Sequence, residues 1–296
     1  MYPAAFDYYA PDSWDEAVGA LVAHGPDAKI LAGGCSLIPI LKLRMAEPHV
    51  LIDLRRVGGH DVIEESQRLR LGAMVRESTI DDPVGVVARR CALLAETSAV
   101  IADPIVRNMG TVGGNLAHAD PANDHPAAML ALGAELVARG PSGERTIAVD
   151  DFFVDVYQTA LAPDELLTEI LVPTDGPGTG GAYEKFERQV GDFPIVAVAA
   201  RLTVADGIVS AARIGLTNVG PTALRARDAE DLLIGRPADT GAFEEAAAAS
   251  AADVEPWSEL RGSADFKRTV LPTVAGRAIR RALDRALASG RDGALG

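Results

Sequence analysis

The sequence predicts an α+β fold with a separate C-terminal domain. Short apolar strands alternate with helix-forming segments through the first hundred residues, an order typical of α/β or α+β domains. A Gly- and Pro-rich stretch over residues 174–181 predicts a linker. Beyond it, two strand-like segments flank Asp206-Gly207, a hairpin signal. Ala- and Arg-rich helical segments follow over 241–252 and 264–288.

The elements of the first part follow from local patterns. Ser13 and Glu16 have the spacing of a capping box and precede apolar residues at helical spacing, so a helix is expected there. Continuous or alternating apolar residues predict strands, and a helical composition precedes Asp103-Pro104. The predicted strands are 29–32, 49–57 and 68–75, and the predicted helical region is 84–102.

A polar segment then interrupts the alternation. Residues 108–130 are rich in Gly, Asn, Asp and Pro and are flanked by apolar segments, so a long functional loop is expected. Residues 166–173 predict a strand closed by Pro173. The boundary of the C-terminal domain is therefore placed at residue 174.

Composition excludes several classes of protein. The 296 residues include 28 basic and 42 acidic ones, a formal charge of −14 that repels nucleic acid and anionic membrane surfaces. Two cysteines, Cys35 and Cys91, support neither a disulfide framework nor a cysteine-ligated iron–sulfur cluster. With no secretory signal pattern and no apolar run of membrane-spanning length, a cytoplasmic protein without a membrane span is expected.

Two glycine-containing segments carry the strongest chemical signal. Gly33-Gly34-Cys35-Ser36 follows a predicted strand, and Gly113-Gly114-Asn115 lies in the long polar segment. Glycine lets a ligand approach the backbone closely, and successive amides can bind an anion. If the two segments converge, they could hold the diphosphate of a dinucleotide without a lysine.

Two other motifs leave alternatives open. Gly176, Gly178 and Gly181 match G-x-G-x-x-G, but Pro177 removes an amide and no clear helix follows, so a Rossmann site is disfavoured. A second alternative is a zinc or iron site, because imidazole and carboxylate side chains cluster in the polar segment. Against it, such residues also cap turns. They are His118, Asp120, Asp124 and His125.

The sequences "LAGGCSLIPILKLRMAEPHVLIDL" and "GTVGGNLAHADPANDHPAAMLAL" resemble the FAD-binding medium subunit of the molybdenum hydroxylases. Carbon monoxide dehydrogenase is the nearest type, and xanthine dehydrogenase carries a fused version. The resemblance covers nearly the whole chain. It implies an FAD-binding fold of two α/β subdomains, residues 1–57 and 58–173, followed by a smaller mixed α/β flavoprotein domain, residues 174–296.

The resemblance also implies the cofactor and its contacts. The diphosphate of FAD would lie between two segments, formed by Ala32, Gly33, Gly34, Cys35 and Ser36 and by Thr111, Val112, Gly113, Gly114 and Asn115. Asp124 would contact the adenosine side, Leu167 and Lys185 would lie on strands beside the cofactor, and Ile101 would pack near it. Cys35 departs from the Gln, His or Thr of relatives, which puts a side-chain role at this position in doubt.

The same resemblance implies partners: a large molybdenum-cofactor subunit and a small [2Fe-2S] subunit, assembled as a dimer of heterotrimers. The chain would carry electrons from the [2Fe-2S] subunit to an external acceptor. No catalytic acid or base and no metal ligand are expected. A stand-alone FAD-dependent oxidase or dehydrogenase and a non-catalytic regulator remain alternatives. The basic C-terminal segment is a candidate docking contact, through Arg277, Arg280, Arg281 and Arg285.

Overall fold

The computed structural model describes residues 2–65, 67–238 and 240–293. The first part of the chain forms a three-stranded parallel sheet in the order β1-β3-β2, with helix α1 packed on it. Ser13 caps α1 by accepting a hydrogen bond from the backbone N–H of Glu16, as its position predicts. The elements are β1 (Asp7–Tyr9), α1 (Trp14–His24), β2 (Ala28–Leu31), α2 (Leu37–Lys42) and β3 (Val50–Asp53).

The middle part contains a five-stranded sheet in the order β4-β5-β10-β6-β7, antiparallel throughout. Helices pack against it and share one apolar core with it. The elements are β4 (Val62–Glu65), β5 (Arg68–Gly72), α3 (Glu77–Ile80), α4 (Val86–Arg90), α5 (Ala92–Ala99), α6 (Pro104–Arg107), α7 (Val112–His118), α8 (Asp124–Leu132), β6 (Glu135–Gly140), β7 (Gly143–Ala148), β8 (Phe153–Asp155), β9 (Gln158–Thr159) and β10 (Leu166–Pro173).

The last part is a four-stranded antiparallel sheet in the order β11-β12-β13-β14, covered by helices. The predicted hairpin is confirmed: Asp206 and Gly207 both have positive φ, 52° and 74°, between β12 and β13. The elements are β11 (Thr179–Phe186), β12 (Val196–Ala205), β13 (Ile208–Thr217), β14 (Leu224–Arg225), α9 (Arg227–Leu233), α10 (Thr240–Ala249) and α11 (Ala264–Gly293).

The α+β class and the three-part architecture expected from the sequence are confirmed. The proposed bounds 1–57, 58–173 and 174–296 stay a prediction, supported by the placement of one main sheet in each part. Helix α8 joins the middle and last parts, because its buried residues share a core with Ala197 and Ala199 of β12. The site described below lies around the start of this helix.

The prediction of a loop over 108–130 is wrong for much of its length, since α7 and α8 occupy it. Thr111 begins α7 as its N-cap, with its hydroxyl accepting the N–H of Gly114 at 3.2 Å. The two glycines lowered the helical signal of this segment. Tertiary packing overrides that propensity, because Val112 and Leu116 are fully buried.

Three other elements are shorter or more broken than predicted. The strand expected over 49–57 ends at Asp53, whose carboxylate accepts the N–H of Arg55 and starts a 3₁₀ turn. The helical region 84–102 is broken at Cys91, where φ and ψ are −155° and 77°. The strand over 68–75 ends at Gly72, while that over 166–173 is confirmed as β10.

Candidate functional site

The first glycine loop, residues 32–36, connects β2 to α2. Gly34 has φ of +77°, a conformation that glycine adopts without strain. Within the described chain, the backbone N–H groups of residues 33–36 have no hydrogen-bond acceptor. Residues 32–36 are also only half-buried or exposed. Four successive amides are therefore available to an anionic ligand.

The second glycine segment, residues 111–115, forms the first turn of α7. Its amides are already paired: Val112 donates to the Val75 carbonyl at 3.0 Å, and Gly113 donates to the Ala73 carbonyl at 2.9 Å. The N–H of Gly114 bonds to the hydroxyl of Thr111. This segment therefore contributes close backbone approach and side chains to the site, whereas the first loop contributes the amide donors.

The structure brings the two segments into contact. A Cβ on Gly33 would overlap the Met109 carbonyl oxygen and lie 2.8 Å from Gly110 Cα. A Cβ on Gly114 would lie 3.4 Å from Ala32 Cβ. Gly33 is thus required for the approach of one backbone to the other, whereas the contact between Gly114 and Ala32 is an ordinary van der Waals contact.

A buried acceptor lies at the same place. Asn115 Oδ1 is buried and has no hydrogen-bond partner, an unfavourable state unless a ligand or water supplies a donor. The backbone carbonyl of Asn115 accepts a hydrogen bond from Asn123 Nδ2 at 2.9 Å. These features fit a dinucleotide. The free amides can donate to its diphosphate, the glycines allow close approach, and Asn115 Oδ1 can accept a hydrogen bond from a sugar hydroxyl.

Asp124 and Lys185 form a second part of the site, at the junction of α8 and β11. Lys185 Nζ donates to Asp124 Oδ2 at 3.2 Å and to the Val100 carbonyl at 3.0 Å. The Tyr183 hydroxyl donates to Asp124 Oδ1 at 2.7 Å. Burial raises the pKa of Asp124, an effect that Lys185 opposes. Burial and the neighbouring Asp124 raise the pKa of Tyr183, so its hydroxyl keeps the proton that it donates.

The remaining candidate residues are apolar and buried. Ile101 follows the carbonyl that Lys185 contacts and is buried beside this pair. Leu167 lies on β10, next to a bulge between Leu167 and Glu169, in the core that also contains Val112 and Leu116 of α7. Ile101 thus adjoins the charged pair, and Leu167 supports the helix that begins at the second glycine segment.

The four residues considered for a metal form two groups: His118 and Asp120 lie together, whereas Asp124 and His125 have separate partners. His118 stacks near Tyr157 at 5.1 Å between ring centroids, and Tyr157 bonds to Asp120 at 3.4 Å. His125 bonds to Glu77 at 2.6 Å, while Asp124 is held by Tyr183 and Lys185. In the described ranges, no three His, Cys, Asp or Glu side chains are grouped as metal ligands.

Three residues beneath the second glycine segment carry no sequence signal and were not predicted: Arg76, Glu77 and the role of His125. Arg76 donates to the carbonyls of Asn108 and Met109 at 2.8 and 3.0 Å. Glu77 donates its N–H to the Gly110 carbonyl at 3.1 Å. Only the tertiary fold places Arg76 and Glu77 there, because they lie more than thirty residues from these partners in the chain.

Comparison with known proteins identifies the family. Residues 4–175 match the FAD-binding domain of molybdopterin dehydrogenases, and residues 181–282 match the CO dehydrogenase flavoprotein C-terminal domain. The chain is a member of this FAD-binding medium-subunit family. It is therefore an oxidoreductase subunit of the molybdenum hydroxylase type, and its cofactor is FAD.

Similar proteins cover the whole chain. The carbon monoxide dehydrogenase medium chain of Hydrogenophaga pseudoflava is 44% identical over 290 residues, covering 97% of this chain and 99% of that one. A structure of carbon monoxide dehydrogenase from that organism matches with a TM-score of 0.93 at 46% identity, covering 96% and 99%. Quinoline 2-oxidoreductase from Pseudomonas putida 86 matches with a TM-score of 0.90 at 35% identity, covering 97% and 100%. The medium-subunit fold thus occurs with different substrates.

Cys35 is expected to matter little for FAD binding. Its Sγ lies 3.9 Å from the Gly33 carbonyl oxygen and 3.8 Å from that of Val106, both weak contacts. Burial, and then the nearby Glu77, raises the pKa of the thiol, so it stays neutral at neutral pH. We expect Cys35→Ser to change the FAD dissociation constant by less than about threefold, equivalent to under 1 kcal/mol. Titration of the apo-protein by flavin fluorescence would measure it, and a tenfold change would assign the side chain a direct role.

No helix of the part that the structure describes has the length and apolarity needed to cross a membrane.

Proposed function

We propose that this medium subunit accepts electrons from a [2Fe-2S] subunit and passes them to an external acceptor, within a complex that also contains a molybdenum-cofactor subunit. The observation that carries the proposal is the pair of glycine segments, with four free amides and an orphaned acceptor at their contact. FAD supplies the redox chemistry when bound. The two cysteines of this chain are too few to ligate a [2Fe-2S] cluster through four thiolates.

The proposed contacts follow from the geometry above. The amides of residues 33–36 hold the diphosphate, and Asn115 Oδ1 accepts a hydrogen bond from the cofactor. Thr111, Val112, Gly113 and Gly114 give the close backbone approach. Asp124 contacts the adenosine side, Lys185 and Leu167 lie on strands beside the cofactor, and Ile101 packs near it. Both oxygens of Asp124 already accept hydrogen bonds, and each retains a second lone pair for the cofactor.

The proposed assembly is a dimer of heterotrimers, but the basic C-terminal helix is a weaker docking candidate than its sequence indicates. Arg281 bonds to Glu184 and Glu96, at 2.5 and 2.7 Å. Arg285 bonds to Glu96 and to the Gly181 carbonyl. These two arginines fix α11 to β11 and α5 of the same chain. Only Arg277 and Arg280 of the four remain exposed.

Expression of the chain alone and with partner subunits tests the proposal. The chain alone is expected to purify with noncovalent FAD, released by acid as FAD rather than FMN, and to oxidise no organic substrate. Co-expression is expected to give an assembly that contains molybdenum, iron and FAD and that oxidises substrate. A single chain that oxidises an organic substrate without metal would instead establish the stand-alone oxidase. A chain that takes up no FAD would contradict the proposed site.

A further inference from the structure

Glu77 is a buried carboxylate directly beneath the second glycine segment. Its side chain is 2% exposed. Its backbone N–H donates to the Gly110 carbonyl, and its Cγ would lie 3.5 Å from a Cβ on Gly110. Gly110 is in turn the residue on which Gly33 packs, 2.8 Å from the position of a Gly33 Cβ. A displacement of Glu77 would therefore displace Gly110, and with it the contact between the two glycine segments.

Two side chains hold this carboxylate. The Ser98 hydroxyl donates to Glu77 Oε2 at 2.6 Å, and His125 Nε2 lies 2.6 Å from the same oxygen. His125 is fully buried, and its Nδ1 has no partner. Burial of a nitrogen lone pair without a partner costs less free energy than burial of an unpaired N–H. The arrangement therefore favours donation of the Nε2–H to the Glu77 carboxylate.

The network joins three helices at the site. Glu77 belongs to α3, Ser98 to α5 and His125 to α8. The residue before His125 is Asp124, which bonds to Tyr183 and Lys185 of β11. The first turn of α8 thus connects the second glycine segment on one side and the C-terminal domain on the other. None of the three network residues belongs to the segments expected to touch the cofactor.

We propose that Glu77, held by Ser98 and His125, is a positioning residue for the FAD diphosphate. It fixes Gly110, and through it the start of α7, at the distance from the first glycine loop that the diphosphate requires. The proposal rests on the proposed FAD site. The contact between the first glycine loop and Gly110 leaves no free volume at Gly33. Loss of the hydrogen bonds between Glu77, Ser98 and His125 therefore displaces both glycine segments together.

The test compares two buried glutamates in the full-length chain. Glu77→Gln keeps the side-chain volume and removes the charge that Ser98 and His125 stabilise. Glu230→Gln is the matched control: Glu230 is 4% exposed, accepts the Ile214 N–H at 2.7 Å and pairs with Arg225, all in the C-terminal domain. For each variant, the FAD dissociation constant, the visible circular dichroism of bound flavin and the melting temperature of the apo-protein are measured.

Glu77→Gln is expected to raise the FAD dissociation constant by at least about tenfold and to alter the flavin dichroism, as loss of a charge-assisted hydrogen bond would. Glu230→Gln is expected to lower the melting temperature while leaving FAD affinity within about twofold. If the Glu77→Gln variant binds FAD with the same affinity as the Glu230→Gln control, Glu77 has only a structural role and the inference is overturned. If Glu77→Gln does not fold, Ser98→Ala is measured by the same readouts, and a smaller loss of FAD affinity is expected.

Unimpaired FAD binding in Glu77→Gln alongside weakened FAD binding in Asn115→Ala would overturn only this inference. A wild-type chain without FAD affinity would overturn the proposed function itself.

Discussion

Gly33→Val is expected to remove most bound FAD from the purified chain. The new Cβ would overlap the Met109 carbonyl oxygen and lie 2.8 Å from Gly110 Cα, both backbone atoms that cannot rotate away. The first glycine loop must then move away from the second segment, and its free amides move with it. Overpacking of this kind costs about 1–3 kcal/mol, which corresponds to a loss of about 5- to 150-fold in affinity when it is expressed in binding. The ratio of flavin to protein, from absorbance, measures the effect.

Gly176→Val is the matched control, because a Cβ at Gly176 meets no atom within 4 Å and its φ is not positive. It should keep full flavin content. Gly59 would be a poor control: its φ is +73°, and a Cβ would lie 3.1 Å from Trp14 Cζ2. Full flavin content in Gly33→Val would show that the loop contact does not form the cofactor site. Flavin loss in both variants would show that the effect is not specific to it.

Lys185→Met is expected to be the most destabilising single change at the site. The side chains of Lys185 and Asp124 are 4% and 7% exposed, so removal of the cation leaves a buried carboxylate without its countercharge. Breaking such a pair costs about 3–5 kcal/mol of the free energy of unfolding. Denaturant titration of the apo-protein measures this cost directly.

The destabilisation should depend on pH with a defined sign. Burial raises the pKa of Asp124 above 3.8, so the native state binds this proton more tightly than the unfolded chain does. The contribution of Asp124 to the free energy of unfolding is therefore most favourable at low pH. It falls as the pH rises from the pKa of Asp124 in the unfolded chain to its raised pKa in the native state. Without Lys185 the native pKa rises further. The deficit of Lys185→Met relative to wild type should consequently narrow as pH is lowered from the native pKa of Asp124 in the variant to its native pKa in the wild type.

Two further variants complete this test. Lys185→Met combined with Asp124→Asn removes both charges of the pair and should recover part of the lost stability, because the Asp124 carboxylate is then no longer buried without a countercharge. Arg227→Met removes an exposed cation, 3.5 Å from Asp150, and should change the free energy of unfolding by under about 1 kcal/mol. A pH-independent deficit in Lys185→Met would mean that the loss comes from packing rather than from the Asp124 charge.

Local signals in the sequence predicted the elements whose conformation is set within a few residues. Ser13 caps α1, Asp206-Gly207 forms the tight turn of a hairpin, and the strand before Pro173 ends where expected. Of the paired glycines, Gly33 and Gly113 mark close backbone contacts, and Gly34 adopts the positive φ of a tight turn. The resemblance to the medium-subunit family, carried by these motifs, was sufficient to predict FAD.

The tertiary structure determines that the first glycine loop has free amide donors and that the amides of the second glycine segment are already paired. In residues 111–115, Thr111 caps a helix, and the turn between β5 and α3 supplies acceptors for the amides of Val112 and Gly113. Whether an amide is free depends on which carbonyls the fold brings to it, and these lie nearly forty residues away in sequence. The same holds for Arg281 and Arg285, whose acidic partners are placed by the packing of α11.

By itself, the sequence determined the strand–turn positions, the family and the cofactor, because each depends on short motifs with a local conformational requirement. The tertiary structure alone decided which donors face the cofactor and which side chains support them. Glu77 and His125 are 48 residues apart and meet only when α3 and α8 pack together. Hydrogen bonds between distant residues follow from burial and packing geometry, and no pattern of neighbouring residues encodes them.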